Sequence, residues 1–297
     1  MVTLDCLAAF DHLLWLRTGA RAADVLRCDQ STVSRHAKAC QAVFGVKLLK
    51  RSAEWRSSGD ASLLNAERRV HQLYRWSNDL PLRFDAQHWF RERCQSVAMP
   101  GWTQGNLNYF EYRQPHYLLK HHILDAWLCS VPDAPVGDPE LTGYQLCSMP
   151  SYLIVKAGHP LLQRRNLELA DLQAYPLLPL PHGAFPVYER MLASLGLGGA
   201  VKAADPSPAA SGIPVEDLMV GIASPLTLSL YGSDWQVLPL QLPLAVGDVL
   251  MVRSEFAEHR LTQLLLERLL QGLRLVAREH PAVQVLTPQL LEPGLVG

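Results

Sequence analysis

The chain has 297 residues, enough for two or three domains that each bury a core of their own. Its formal charge is -1, which singles out no partner, and no run of 18 apolar residues occurs, so nothing in the sequence reads as a membrane span. The first nine residues include Asp5 and lack a basic start before an apolar stretch, which excludes a secretory signal; six scattered cysteines without a CxxC pair read as reduced thiols of a cytoplasmic protein.

The charge is unevenly placed. Residues 1–93 carry 15 Lys and Arg against 10 Asp and Glu, while the rest of the chain is acidic on balance. A basic front and an acidic back suggest that a polyanion meets the front. Leu4, Leu7, Ala8, Phe10, Leu13, Leu14 and Leu16 recur at helical spacing and predict a first helix over 4–17, broken at Thr18-Gly19. A short second helix over 21–26 and a three-residue turn, Arg27-Cys28-Asp29, lead to a third helix over 30–44. Asp29 is its predicted N-cap and Gly45 its stop. Short helix, tight turn and polar-headed helix make a helix-turn-helix.

The third helix carries the chemistry. Val33, Ala37 and Cys40 supply an apolar side, while Gln30, Ser31, Thr32, Ser34, Arg35 and Lys38 crowd its opening turns with hydrogen-bonding groups. Gln can bond adenine and Arg guanine in two-point contacts, and small hydroxyls allow close approach. From Gln30 to Arg51 there are basic residues and no acidic one. The competing reading is a solvated charged face; the helix-turn-helix context favours the major groove of duplex DNA. Residues 46–51 read as a strand and 52–59 as the return of a small wing, where Lys47, Lys50, Arg51 and Arg56 contact the phosphate backbone without reading sequence.

A helix over 61–80 follows, about 30 Å long. Leu63, Ala66, Val70, Leu73, Ser77 and Leu80 form a heptad seam along it. Such a narrow stripe needs a partner: either the chain's own core or, as preferred here, a second copy that sets two reading heads on one face of DNA. Residues 81–95, which are polar and carry Trp89-Phe90, read as a hinge.

From Cys94 onward strands and helices alternate, which predicts mostly parallel sheet with helices on its faces. Strands are expected at 96–99, 107–112, 126–131, 144–147, 152–156, 177–180, 201–204, 221–223, 235–240 and 249–253. Helices are expected at 117–123, 168–174, 187–195, 215–220 and 258–276, with a poorly patterned tail after Pro281.

Ala22-Ala23, Leu26, Gln30, Val33-Ser34-Arg35, Gly45-Val46, Leu48 and Arg51 resemble, in order and spacing, the winged helix-turn-helix of the LysR-type transcriptional regulators. Gly19 stands where that family has an aromatic, Cys40-Gln41 where it has Leu-Glu, Leu49 where it has Phe, and Ser57-Ser58-Gly59 at a worn start of its linker helix. Ala157-Gly158-His159-Pro160-Leu161, Leu169-Ala170-Asp171-Leu172 and Tyr175-Pro176-Leu177 resemble the second half of the family's effector domain. The resemblance implies an α + α/β protein. Its parts are a winged helix-turn-helix over 1–59, a dimerising linker helix and hinge over 60–93, and a two-lobed effector domain over 94–297 like a periplasmic binding protein, with a ligand cleft between lobes. Two stretches look shortened near that cleft: only seven residues separate the expected strands at 96–99 and 107–112, and 204–221 is brief.

Ligands in open α/β sheets sit beyond the carboxyl ends of strands. Trp102, Thr103 and His182, each following an expected strand, are therefore the predicted effector contacts. No catalytic residue, metal or cofactor is expected. There is no Gly-x-Ser-x-Gly elbow, and the glycine-rich 195–200 follows a helix instead of opening one. His121 and His122 are adjacent and diverge on a helix, so with His116 and Cys129 they do not converge on an ion. The expectation is a dimeric or tetrameric DNA-binding regulator controlled by a small molecule. The alternatives are a ligand-independent regulator whose α/β half only assembles oligomers, and an enzyme or solute-binding protein with a vestigial head.

Overall fold

The computed structural model describes residues 3–51, 54–197 and 214–291. Three helices open it: α1 (Leu4–Leu16), α2 (Gly19–Leu26) and α3 (Gln30–Phe44). Thr3 and Thr18 cap the first two, their hydroxyls accepting from Cys6 N and Arg21 N. Asp29 holds the N-cap position of α3 without a side-chain capping bond, and Gly45 ends the helix at φ 65°. The wing is β1 (Lys47–Arg51) paired antiparallel with β2 (Glu54–Ser58), and α4 (Ser62–Ser77) follows. At 16 residues α4 is about 24 Å long, shorter than the expected helix.

The remaining elements are β3 (Leu82–Ala86), α5 (Arg91–Gln95), β4 (Trp102–Gln104), α6 (Arg113–Lys120), β5 (Ala126–Val131), β6 (Leu141–Lys156), α7 (Leu169–Leu172), α8 (Pro186–Ser194), β7 (Gly221–Ala223), β8 (Trp235–Arg253), α9 (Arg260–Glu279) and β9 (Gln284–Leu290). The strand order is β4-β3-β5-β8-β6-β7, with β9 also on β6. The sheet is mixed, not mostly parallel as expected. β3 runs parallel to β4 and β5, and the other pairings are antiparallel. β6 and β8 are each one long strand where two short ones were predicted. They run through both lobes, and their register slips around Gln145–Met149 and Pro150–Tyr152, where one lobe gives way to the next. At that crossing a side chain on Gly247 would lie 2.0 Å from the Cys147 carbonyl, so only glycine fits.

Other expectations need correction. Residues 82–86 are a central strand and not a hinge, so the sheet of the α/β body begins before residue 94. Residues 96–99 and 107–112 are not strands; Tyr109 makes only a bridge to Gln87, and Leu177 only one to Val220. Residues 215–217 form a single 3-10 turn. β9 occupies the tail that lacked a pattern. The strand expected at 201–204 and part of the glycine-rich loop lie outside the described residues.

Three cores hold the molecule. Leu82, Phe84, Ala126, Leu128, Leu250 and Val252 face α9, α5 and Trp76 on one side of the sheet. Leu153, Leu172, Tyr188, Leu192, Val220 and Leu238 form the core of the second lobe. On the first lobe's opposite face, Trp127, Cys129, Val131, Val249 and Met251 share one core with α6 and with Phe10, Leu14, Trp15, Ala22, Val33 and Ala37 of the head. The helix-turn-helix is thus a layer of the α/β sandwich, bonded to it throughout. Trp15 Nε1 donates to Asp85 Oδ2 (2.8 Å), Tyr109 OH to the Trp15 carbonyl (2.8 Å) and Asn106 Nδ2 to the Leu16 carbonyl (2.7 Å). The Arg17 guanidinium lies 3.7 Å over the Tyr109 ring. The wing joins in, with Ser57 Oγ 2.8 Å from Tyr117 OH.

Buried charge completes the joint. Asp125, fully buried, accepts from Gln72 Nε2, Arg75 Nη2, Trp76 Nε1 and the Arg83 amide. Arg68 Nε donates to Asp11 Oδ1 at 2.8 Å. Burial first, then neighbouring Arg75, holds Arg83 down to about 10. One network therefore ties α1, α4, β3 and the turn before β5 together.

Candidate nucleic-acid interface and ligand cleft

On α3 the side chains divide by helical periodicity. Val33, Ala37 and Cys40 are buried, whereas Gln30, Ser31, Ser34, Arg35 and Lys38 are exposed and Thr32 is half-buried. The structure thus brings the predicted reading residues together on one open face. Arg35 Nη2 lies 3.5 Å from Thr32 Oγ1, so the guanidinium leans along the helix toward its head. Gln30 occupies the space over Gly19, where a Cβ would come within 2.8 Å of its Nε2. The missing side chain at Gly19 makes room for this one. Lys47, Lys50 and Arg56 are exposed on the wing, and Lys50 Nζ sits 5.6 Å over the Trp55 ring. The Arg51 side chain lies outside the described part. The amide-rich start of α3 adds its dipole to this positive surface.

α4 has two opposed faces. Leu64, Arg68, Gln72 and Trp76 are buried against the chain's own body. The predicted seam points the other way: Leu63 is 66% exposed, Val70 61% and Leu73 40%, with Ala66 and Ser77 exposed beside them. Leu80 lies beyond the helix end and is also exposed.

Between the lobes is a cavity of about 240 Å³. Trp89 stacks on Phe185 with centroids 4.8 Å apart, and His88 on Phe110 at 4.7 Å. Arg93 Nη1 is 2.5 Å from Asp248 Oδ2, and that pair is largely buried. Ser151 and Tyr188 complete the inner wall, and Ser224 and Thr227 bond one another. Asp133, from the loop after β5, clasps the second lobe by accepting from the Val187 amide (2.6 Å) and the Tyr188 amide (3.3 Å) at the start of α8. Burial pushes its carboxyl up to about 6, against the opposing pull of those amides.

The predicted effector contacts do not fall here. Trp102 is in the core, its ring edge-on to Trp76 at 5.8 Å and to Phe84 at 6.5 Å. Thr103 follows it on β4, and His182 is exposed; neither is among the cavity's lining residues. The reason is a misplaced strand: Trp102 begins β4, so it sits at the amino end of a strand and not beyond a carboxyl end. The rule itself holds. His88 and Trp89 follow β3, and Pro132 follows β5. Reading 82–86 as a strand would have named them.

The histidines at 116, 121 and 122 are each engaged with a neighbour. His116 pairs with Asp138 (3.2 Å), His122 Nδ1 with Gln72 Oε1 (2.6 Å), and His121 packs on Tyr117. Among the described residues no three His, Cys, Asp or Glu are grouped to hold a metal. Burial pushes the Cys40 and Cys94 thiols up to about 12, and raises Cys129 and Cys147 as well.

This fold, a winged head, a seam-bearing helix and a two-lobed α/β body with a cleft, is similar over most of its length to solved structures of low sequence identity. A full-length OxyR variant from Pseudomonas aeruginosa superposes with a TM-score of 0.54 at 17% identity, over 91% of this chain and 98% of that one. An OxyR mutant from Corynebacterium glutamicum gives 0.52 at 15% identity, over 95% and 94%. A probable transcriptional regulator from Pseudomonas aeruginosa gives 0.50 at 14% identity, over 90% and 96%. No family model and no curated protein matches the chain.

Proposed function

We propose that the chain is a sequence-specific DNA-binding transcriptional regulator of LysR type, working in the cytoplasm as a homodimer or tetramer and controlled by a small molecule in the interlobe cleft. The observation that carries the reading is the outer face of α3. Gln30, Ser31, Ser34, Arg35 and Lys38 stand open there, with no acidic residue between Gln30 and Arg51. Gln30 and Arg35 read base edges, the hydroxyls sit against the groove wall, and Lys50 and Arg56 hold phosphates. The exposed seam of α4 pairs two copies, so that two α3 helices enter successive major grooves about 34–36 Å apart. Among the described residues no helix is long and apolar enough to cross a membrane.

The test begins with a genome-wide DNA pull-down and continues with anisotropy titrations on the recovered site. Arg35→Ala is expected to cost about 1–3 kcal/mol on that site and little on random duplex. Lys50→Ala is expected to weaken both alike and to flatten the dependence of log affinity on log salt. An Arg35→Ala protein that binds its site as well as wild type would remove α3 from the reading role.

A further inference from the structure

Among the described residues, three that line the interlobe cavity carry a polar atom with no partner in hydrogen-bonding geometry: Ser151 Oγ, Tyr188 OH and His88 Nδ1. Ser151 and Tyr188 are only 1% and 4% exposed. The Ser151 hydroxyl faces the Tyr188 phenol and favours its ionised form against burial, but the two stand outside hydrogen-bonding geometry. A buried polar group left unpaired costs about 1–3 kcal/mol. Such a pair, in a largely apolar cavity, marks where a guest's polar atom belongs.

The walls define the rest of the guest. Trp89, Phe110 and Phe185 present aromatic faces that suit a flat ring. Among the described residues, the charged groups lining the cavity are Arg93 and Asp248, and they neutralise one another at 2.5 Å. A carboxylate placed here would have to draw Arg93 away and leave Asp248, 2% exposed, without its counter-charge. Building on the ligand-cleft reading above, we propose that the cleft takes an uncharged aromatic molecule of one or two rings, whose polar group is met by the hydroxyls of Ser151 and Tyr188, and that it rejects the corresponding carboxylate. His88 Nδ1, at the cavity's other side, can take or give one further bond according to its tautomer.

The test uses full-length protein and two probes of one shape, 2-naphthol and 2-naphthoate, titrated calorimetrically at pH 7.5. 2-Naphthol is expected to bind at least tenfold more tightly than 2-naphthoate. Replacing both hydroxyl groups, in Ser151→Ala with Tyr188→Phe, is expected to weaken it about tenfold with an unchanged thermal melt. If that double variant melts early, Ser151→Ala alone is read, with a loss of about threefold. Equal or tighter binding of 2-naphthoate overturns the ligand class while leaving the cleft as a ligand site. Binding of neither probe overturns both. 2-Naphthol affinity indifferent to the hydroxyl replacements places the probe elsewhere and also overturns the proposal. DNA anisotropy run in parallel reports on the regulator reading independently.

Discussion

At Gly105 there is no room for a methyl group. A Cβ there would stand 2.0 Å from Asp85 Oδ2 and 2.6 Å from Trp15 Nε1, two atoms that bond one another between the head and the first lobe. Gly105→Ala must push them apart, so it is expected to cost about 3 kcal/mol, read as a lower urea midpoint. Gly137→Ala, with nothing within 4 Å of its Cβ, is the matching control and should stay within about 0.5 kcal/mol of wild type. Asp133 makes a prediction in pH. Its carboxyl is raised from 3.8 to about 6, so the folded chain holds this proton more tightly than the unfolded one. The stability it contributes is full below about pH 4 and is lost as pH rises through 6. Asp85, raised likewise to about 6 by burial, adds to the same window. Urea midpoints measured from pH 4 to 7 should therefore fall less steeply in Asp133→Asn; an identical slope would remove Asp133 from the account. None of these residues announced itself in the sequence, because a clasp between positions 133 and 187 or 85 and 15 has no local pattern.

At the scale of elements, α4 shows what periodicity can and cannot reveal. Its seam was legible because Leu63, Val70 and Leu73 repeat on one stripe, and that stripe is exposed. Its other face was not, because Arg68 and Gln72 look like solvent residues until Asp11 and Asp125 are brought to them. Val70→Glu alters a side chain 61% exposed in the monomer, so the fold should survive. The proposed dimer should not, and light scattering behind a sizing column should report a single chain. A Val70→Glu protein that stays dimeric would place the interface elsewhere. The same blindness to partners hid β3: Leu82, Phe84 and Ala86 alternate correctly, but Arg83 and Asp85 between them made the stretch look like a hinge. Both charges are satisfied on the head's side of the sheet. β6 and β8 were cut in two for another reason, since Pro150 and Gly247 mark a lobe crossing and not strand ends. The helix-turn-helix was read almost to the residue because its signals, caps, turn and apolar spacing, all lie within a few residues of each other.

At the scale of the whole molecule, the shared core under Trp15, Trp127 and Met251 predicts how the protein melts. Head and first lobe should unfold in one calorimetric transition, and residues 1–60 expressed alone should show little cooperative melting by circular dichroism, since one face of their core comes from the sheet. Separate transitions for the head would contradict this. The sequence implied beads on a string: a reader, a spacer and a sensor. What it could not show is that Tyr109 grips α1 through the Trp15 carbonyl and Arg17, while Phe110, the next residue, faces the cleft.

That fused arrangement limits how such a chain can be re-engineered. Grafting a foreign reader onto it by cutting near residue 60 would strip the sheet of its lid and leave Trp127, Cys129 and Met251 bare to water. A chimera would have to carry over the underside of α1 together with whichever outward groups the new head presents.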